Sequence, residues 1–149
     1  MSAENFYIAL YHQETDTVSF PYYVDQVDET PVERKTGKGL TEYVLRTGKA
    51  QLITAELDLA LRKIGETSLI GEPTQIWLGV PLNVKGKTIG VIVVQDYSDS
   101  TTYSDEEKEI LIYVSEQIAL ANNKKRNEEK IIQYSEELKE TNAAKDKFF

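Results

Sequence analysis

The chain has no cysteine and only one histidine in 149 residues. Without cysteine it forms no disulfide, no thiolate metal site, no thiol nucleophile and no thioether-linked chromophore. The single histidine, His12, ends an apolar run beside a polar turn, where it reads as exposed and unemployed, so a haem ligated by it is not expected. His-Glu-x-x-His, a complete phosphate loop and Gly-x-Ser-x-Gly are all absent, which leaves acid–base chemistry to scattered carboxylates. The acidic clusters Asp105-Glu106-Glu107 and Glu136-Glu137 fall in helical patterns, where solvated faces account for them. No catalytic residue and no metal ligand is expected, and an enzyme is rejected for this fragment.

Positive charge is also short: 17 Lys and Arg against 25 Asp and Glu leave a net charge of −8. Nucleic acid and anionic membrane surfaces call for a basic face, so neither is an expected partner. No run approaches the roughly 18 apolar residues of a membrane span. Met1-Ser-Ala-Glu lacks the basic-then-apolar order of a signal peptide. A cytoplasmic chain with soluble partners is the expectation.

The most informative stretch present is Thr74 to Asp96. Two apolar runs flank Lys85-Gly86, and Gly at the second position of a two-residue loop supplies the positive φ of a hairpin turn. Counting from that turn, Leu82 faces Ile89, Val80 faces Val91 and Leu78 faces Val93 on one side of the sheet. Trp77, Gly79, Pro81, Gly90, Ile92 and Val94 take the other. Both sides are apolar, which predicts interior strands covered on both faces, with Pro81 at a bulge or where its missing donor is not needed.

Upstream, Asn5 to Tyr11 and Val18 to Val24 read as antiparallel strands joined around Glu14-Thr15-Asp16. The chain starts almost inside its first strand, so an N-terminal element is expected to be missing. Asp25 to Lys38 reads as a long loop whose basic residues Arg34, Lys35 and Lys38 precede a helix N-terminus; solvation explains them better than an anion site. Leu40 to Thr47 is a short helix stopped by Gly48. Gln51 to Thr54 is a short strand, and Thr54 caps a helix with Leu57, Leu61 and Ile64 on its apolar side, stopped by Gly65.

Ser104 and Glu107 form a capping box ahead of a pattern free of Pro and Gly to Phe149. At about 1.5 Å per residue this helix exceeds 60 Å. Ile110, Leu111, Val114, Ile118 and Ala121 make its packing stripe. Asn122 to Glu129 has nothing to bury. Ile131, Tyr134, Leu138, Thr141, Lys145 and Phe148 then recur in steps of three and four, as in a short coiled-coil seam.

Two strands, a Gly-x-Gly-Leu start to a short helix ending Thr47-Gly48, Trp77-Leu-Gly-Val-Pro-Leu, Gly86-Lys-Thr-Ile-Gly-Val and a closing long helix together resemble a GAF domain over roughly Asn5 to Ala121. The tail from Leu138 to Phe149 is similar to the segment leading into the dimerisation and phosphoacceptor helix of sensor histidine kinases. The resemblance implies an α+β fold with a central antiparallel sheet, helices and loops on both faces and a long C-terminal helix. It implies a GAF sensory domain over residues 1–121 and a signalling helix over 122–149 that leads to a missing kinase core, through which a response regulator is reached. The chain departs from bilin-binding and sulfoxide-reducing members in having no cysteine, and it does not match the cyclic-nucleotide-binding pattern.

The implied function is a sensor that binds a small molecule and signals through a homodimer. The dimer seam comprises Ile131, Tyr134, Leu138, Thr141 and Phe148, paired in parallel. The alternative is a dimerisation and spacer domain that binds no ligand. Tyr22, Tyr23, Trp77 and Tyr97 are the candidate ligand-binding residues, weighed against a plain core role for aromatics near strands. The ligand itself is not specified.

Overall fold

The computed structural model describes residues 3–148, with 142–148 described as backbone only. The hairpin stands inside a six-stranded antiparallel sheet. In chain order the strands are β1 (Phe6–His12), β2 (Thr17–Val24), β3 (Arg34–Lys35), β4 (Gln51–Thr54), β5 (Ile76–Val84) and β6 (Lys87–Asp96). Their order across the sheet is β3-β2-β1-β6-β5-β4. Helices α1 (Leu40–Thr47) and α2 (Ala55–Lys63) cover one face, and α3 (Asp105–Phe148) the other. The expected α+β class is therefore the observed one. The two-residue strand β3 lies inside the segment expected to be all loop, where Arg34 pairs with Val18 and Lys35 with Thr17.

Lys85 and Gly86 both take positive φ, 52° and 78°. That is the primed turn whose twist suits a hairpin. The register beyond it differs from the expected one. Val84 pairs with Lys87 and Asn83 with Thr88, but Leu82 then pairs with Gly90, leaving Ile89 as an extra residue in a bulge. A one-residue slip turns every later side chain to the opposite face. Leu78, Val80 and Leu82 consequently share the α3 face with Ile92 and Val94, while Val91 and Val93 join Trp77 on the α1 face. All of them are buried, as expected. Pro81 needs no donor on its outer side, because β4 pairs with β5 only from Ile76 to Gly79.

A second bulge lies between β1 and β2. Ile8 pairs with Tyr22 and Leu10 with Ser19, so Phe20 and Pro21 together oppose Ala9. Proline within a sheet belongs at such a point. The bulge brings Phe20 and Tyr23 to the α1 face, whereas Tyr22 turns to the opposite side and meets Phe6 edge-on with ring centroids 5.3 Å apart.

The short helices begin and end where their caps dictate. Thr54 Oγ1 accepts from the Leu57 N–H at 3.2 Å, and Gly48, at φ 65°, closes α1. Their buried sides differ from a simple apolar stripe. In α2, Asp58 and Leu61 face inward, and Leu57 and Ile64 are exposed. The expected box at α3 is present in part: the Ser104 N–H and hydroxyl both donate to the Glu107 carboxylate.

The 44 residues of α3 span about 66 Å at 1.5 Å each. Leu111, Ser115 and Ala119 are its buried side, and Ile110, Val114 and Ala121, expected to pack, are exposed instead. The small Ser115 and Ala119 let the helix lie close on the sheet, a fit that hydrophobicity alone does not register.

Candidate functional site

A cavity of about 250 Å³ lies between the sheet and the short helices. Tyr7 of β1 and Trp77 of β5 form its buried base, and Phe20 and Tyr23 of β2 its aromatic wall. Thr41 at the start of α1 and Asp58 of α2 close it from above. Asp28, Glu29 and the segment Leu69 to Pro73 border the opening. The Trp77 indole folds along its strand over Gly79, where a Cβ would sit 2.2 Å from the ring. Glycine is required there by close approach.

The rings are ordered against one another. Tyr7 and Tyr23 stack at 5.1 Å between centroids, and Phe20 meets both edge-on at 5.9 and 6.1 Å. The Tyr7 hydroxyl lies 2.8 Å from Thr41 Oγ1, and burial pushes the Tyr7 phenol up to about 12. Burial also raises the Tyr23 phenol, with a further push from the Asp25 carboxylate, then from Tyr7 and Asp28.

Of the basic residues before α1, Lys35 and Lys38 are exposed, as a solvated loop implies, and Arg34 is not. Arg34 donates to Glu42 Oε1 at 2.9 Å, and its guanidinium stands 5.1 Å from the Phe20 ring centroid. Glu42, 2% exposed, also accepts the Gly37 N–H at 2.9 Å and the Gly39 N–H at 3.4 Å. The anion held at this helix N-terminus is the chain's own carboxylate, which the backbone donors and helix dipole stabilise. Lys38 donates to the Gly65 carbonyl and Lys35 to that of Thr15.

Tyr97 braces the opening from outside the cavity lining. Its hydroxyl lies 2.8 Å from both Asp25 oxygens and 3.1 Å from Asp28 Oδ2, and a single O–H serves one acceptor at a time. Burial, and then the Asp25 hydrogen bond, raises the Tyr97 phenol. Gln95 donates to Asp25 at 2.7 Å, while Asn5 accepts the Gln26 N–H at 2.7 Å, tying the loop to the sheet.

Of the four aromatic candidates, Tyr23 and Trp77 therefore border the cavity, Tyr97 positions Asp28, and Tyr22 lies on the other face of the sheet, half exposed. Tyr7, Phe20, Arg34, Thr41 and Asp58 also line the cavity and were not anticipated. One signal for Asp58 was available: an acid on the inner side of a helix that has leucines to spare. His12 is not idle either, since Nε2 lies 2.7 Å from Ser19 Oγ. Of the seam residues, Ile131, Tyr134 and Leu138 are exposed, and Thr141 donates to the Glu137 carbonyl. The Phe148 side chain lies outside the described residues. Among the described residues no cluster of His, Cys, Asp and Glu suits a metal ion, and no helix is long and apolar enough to cross a membrane.

A sheet with one face sealed by a long helix and the other hollow beneath short helices is an α+β domain with a ligand-sized space on one side. The chain belongs to the GAF domain family, whose model matches residues 1–121. No curated protein matches it in sequence. Among solved structures, the GAF domain of a phosphoenolpyruvate-protein phosphotransferase from Coxiella burnetii superposes with TM-score 0.69 at 16% identity, covering 85% of this chain and 75% of that one. Residues 122 to 287 of a methyl-accepting chemotaxis protein give 0.66 at 18% identity, covering 81% and 79%. The second GAF domain of DevS from Mycobacterium smegmatis gives 0.65 at 15%, covering 87% and 86%. At these identities the likeness is one of fold.

Proposed function

We propose that the chain is the small-molecule-sensing part of a two-component sensor histidine kinase, and that α3 carries the state of its cavity to a dimeric kinase core. The observation that carries this reading is the placing of cavity and helix on opposite faces of one strand. Trp77 borders the cavity, while its neighbours Ile76 and Leu78 pack in the α3-side core. Filling the cavity displaces β5, and α3 rests on β5. Packed helices settle in discrete arrangements, so a small shift can switch a downstream core. The cavity favours a sensor over a ligand-free spacer, which would pack solid. A methyl-accepting chemotaxis protein that shares the fold favours it too.

The exposed seam of Ile131, Tyr134 and Leu138 calls for a twin helix, because helices gain most of their stability from packing. The two-fold arrangement is parallel, so that both sensors deliver to the same end. Sedimentation equilibrium tests it: the chain is expected to dimerise weakly, and Ile131→Glu with Leu138→Glu to leave a folded monomer. Unchanged association in the double variant would remove the helix from the interface. A thermal-shift screen against metabolites tests sensing, and a cavity that takes no ligand would leave the spacer.

A further inference from the structure

We infer that the cavity takes a small organic cation, an ammonium or alkylated amine held against its aromatic rings with its charge directed to Asp58; this rests on the sensing role above and specifies its ligand. The argument begins with α2. That helix has Leu57, Leu59 and Ile64 to bury, yet it exposes all three and turns Asp58 inward at 5% exposure. Burying an ionised carboxylate is costly unless it is paired and hydrogen-bonded.

Asp58 accepts no hydrogen bond from any described group. Its nearest cation, the Arg62 Nε, stands 3.6 Å away, beyond hydrogen-bond reach, and that Nε is itself buried without a partner. A buried acid in the cavity wall that accepts no hydrogen bond, and meets only its own helix's Arg62 at 3.6 Å, has acceptor capacity left for a cationic ligand.

The rest of the wall agrees in sign. Asp28, Glu29, Asp58 and Glu72 line the cavity, against Arg34 alone. Arg34 is already matched by Glu42 at 2.9 Å. Even with Glu42 and Arg62 counted, three negative charges remain in excess. An anionic ligand would meet this field with no unmatched guanidinium to receive it. A cation is drawn in by it, and the acids at the opening steer its approach.

The rings of Tyr7, Phe20, Tyr23 and Trp77 line the cavity, and quaternary and protonated amines bind aromatic walls through the ring quadrupole. Phe20 already does so within the chain, beneath the Arg34 guanidinium. The volume, near the lower end of about 300 Å³ for ligand pockets, suits a metabolite smaller than a drug.

Trp77 is the chain's only tryptophan, so its fluorescence reports occupancy of this cavity alone. The test titrates the full chain with choline, ethanolamine and putrescine, with 3,3-dimethylbutan-1-ol as the neutral isostere of choline, and with succinate as the anion. At least one cation is expected to shift Trp77 emission. For choline, affinity should exceed that of the neutral isostere by at least about tenfold. Asp58→Asn should remove the advantage of the cation without weakening the neutral compound. Tyr23→Leu, at a partly exposed wall position, should weaken the same cation and serves if Asp58→Asn does not fold.

Tighter binding of the isostere or of succinate, or cation binding indifferent to both substitutions, would overturn the cation while leaving a ligand-binding sensor. Silence of Trp77 toward every compound would also overturn it. In that case a hit in the metabolite screen would preserve the sensor, and none would leave the spacer.

Discussion

On one face of the sheet Leu78, Val80, Leu82, Ile92 and Val94 meet Leu111 and Ala119 of α3, and every one of them is buried. The other face, built from the same strands, carries Tyr7, Trp77 and Tyr23 under α1 and α2, and there the packing opens into a cavity. Branched aliphatic side chains interdigitate until no void remains. Flat rings and charged groups do not, and each atom lining the gap forgoes dispersion contacts on one side. The α3 face therefore supplies the greater share of stability. The hollow face adds polar ties to its own buried cluster, among them the buried Glu42 with Arg34 and two backbone donors.

The largest effect belongs to the closed face. Val80→Asp sets an unpaired charge between sheet and helix and is expected to prevent soluble folding. A soluble variant with the parent's melting curve would show that this face is not closed. Leu78→Ala should cost about 2–5 kcal/mol in urea unfolding, whereas Tyr23→Leu at the cavity wall should cost within about 1 kcal/mol. Equal losses would erase the contrast. Glu42→Gln keeps the shape but loses the charge that Arg34 and the α1 N-terminus share, and about 2 kcal/mol should follow. If it were neutral, the polar ties would add nothing to the hollow face.

A smaller effect lies at the end of β6. The N–H groups of Asp99 and Ser98 hold the Asp96 carboxyl below its ordinary value. A carboxylate with a depressed folded pKa stabilises above its unfolded pKa, and that contribution fades as pH falls through the folded one. Asp96→Asn should accordingly lower the urea midpoint at pH 6 and narrow the gap between pH 6 and strongly acid solution. A gap of unchanged width would assign the acid sensitivity to other carboxylates. The smallest effect is at the turn, away from both faces. Lys85 holds φ 52°, a region that asparagine tolerates better, so Lys85→Asn should stabilise by about 0.5 kcal/mol.

Much of the fold was legible in the residues because it is locally decided. The Lys85-Gly86 turn, the Thr54 and Gly48 caps and the limits of α1, β4 and α2 depend on groups within a few positions of one another. The hairpin's face assignment was not legible. Ile89, Val91, Ile92, Val93 and Val94 are apolar in either register, so pattern alone does not choose between them, and a bulge at Ile89 does. The same kind of event separates Tyr22 from Tyr23: both are aromatic, both lie in β2, and only the bulge at Phe20 and Pro21 decides which one reaches the cavity.

The sequence by itself determined the order of every element but β3, the caps and turns, the absence of thiol chemistry and the apolar character of the hairpin. These follow from short-range sterics, hydrogen bonding and residue type. Which face each strand residue occupies was decided by the tertiary structure, as was the inward turn of Asp58, the pairing of Glu42 with Arg34 and the cavity itself. Each depends on contacts between segments far apart in the chain, and a void is a property of what packing fails to fill, which no single residue encodes.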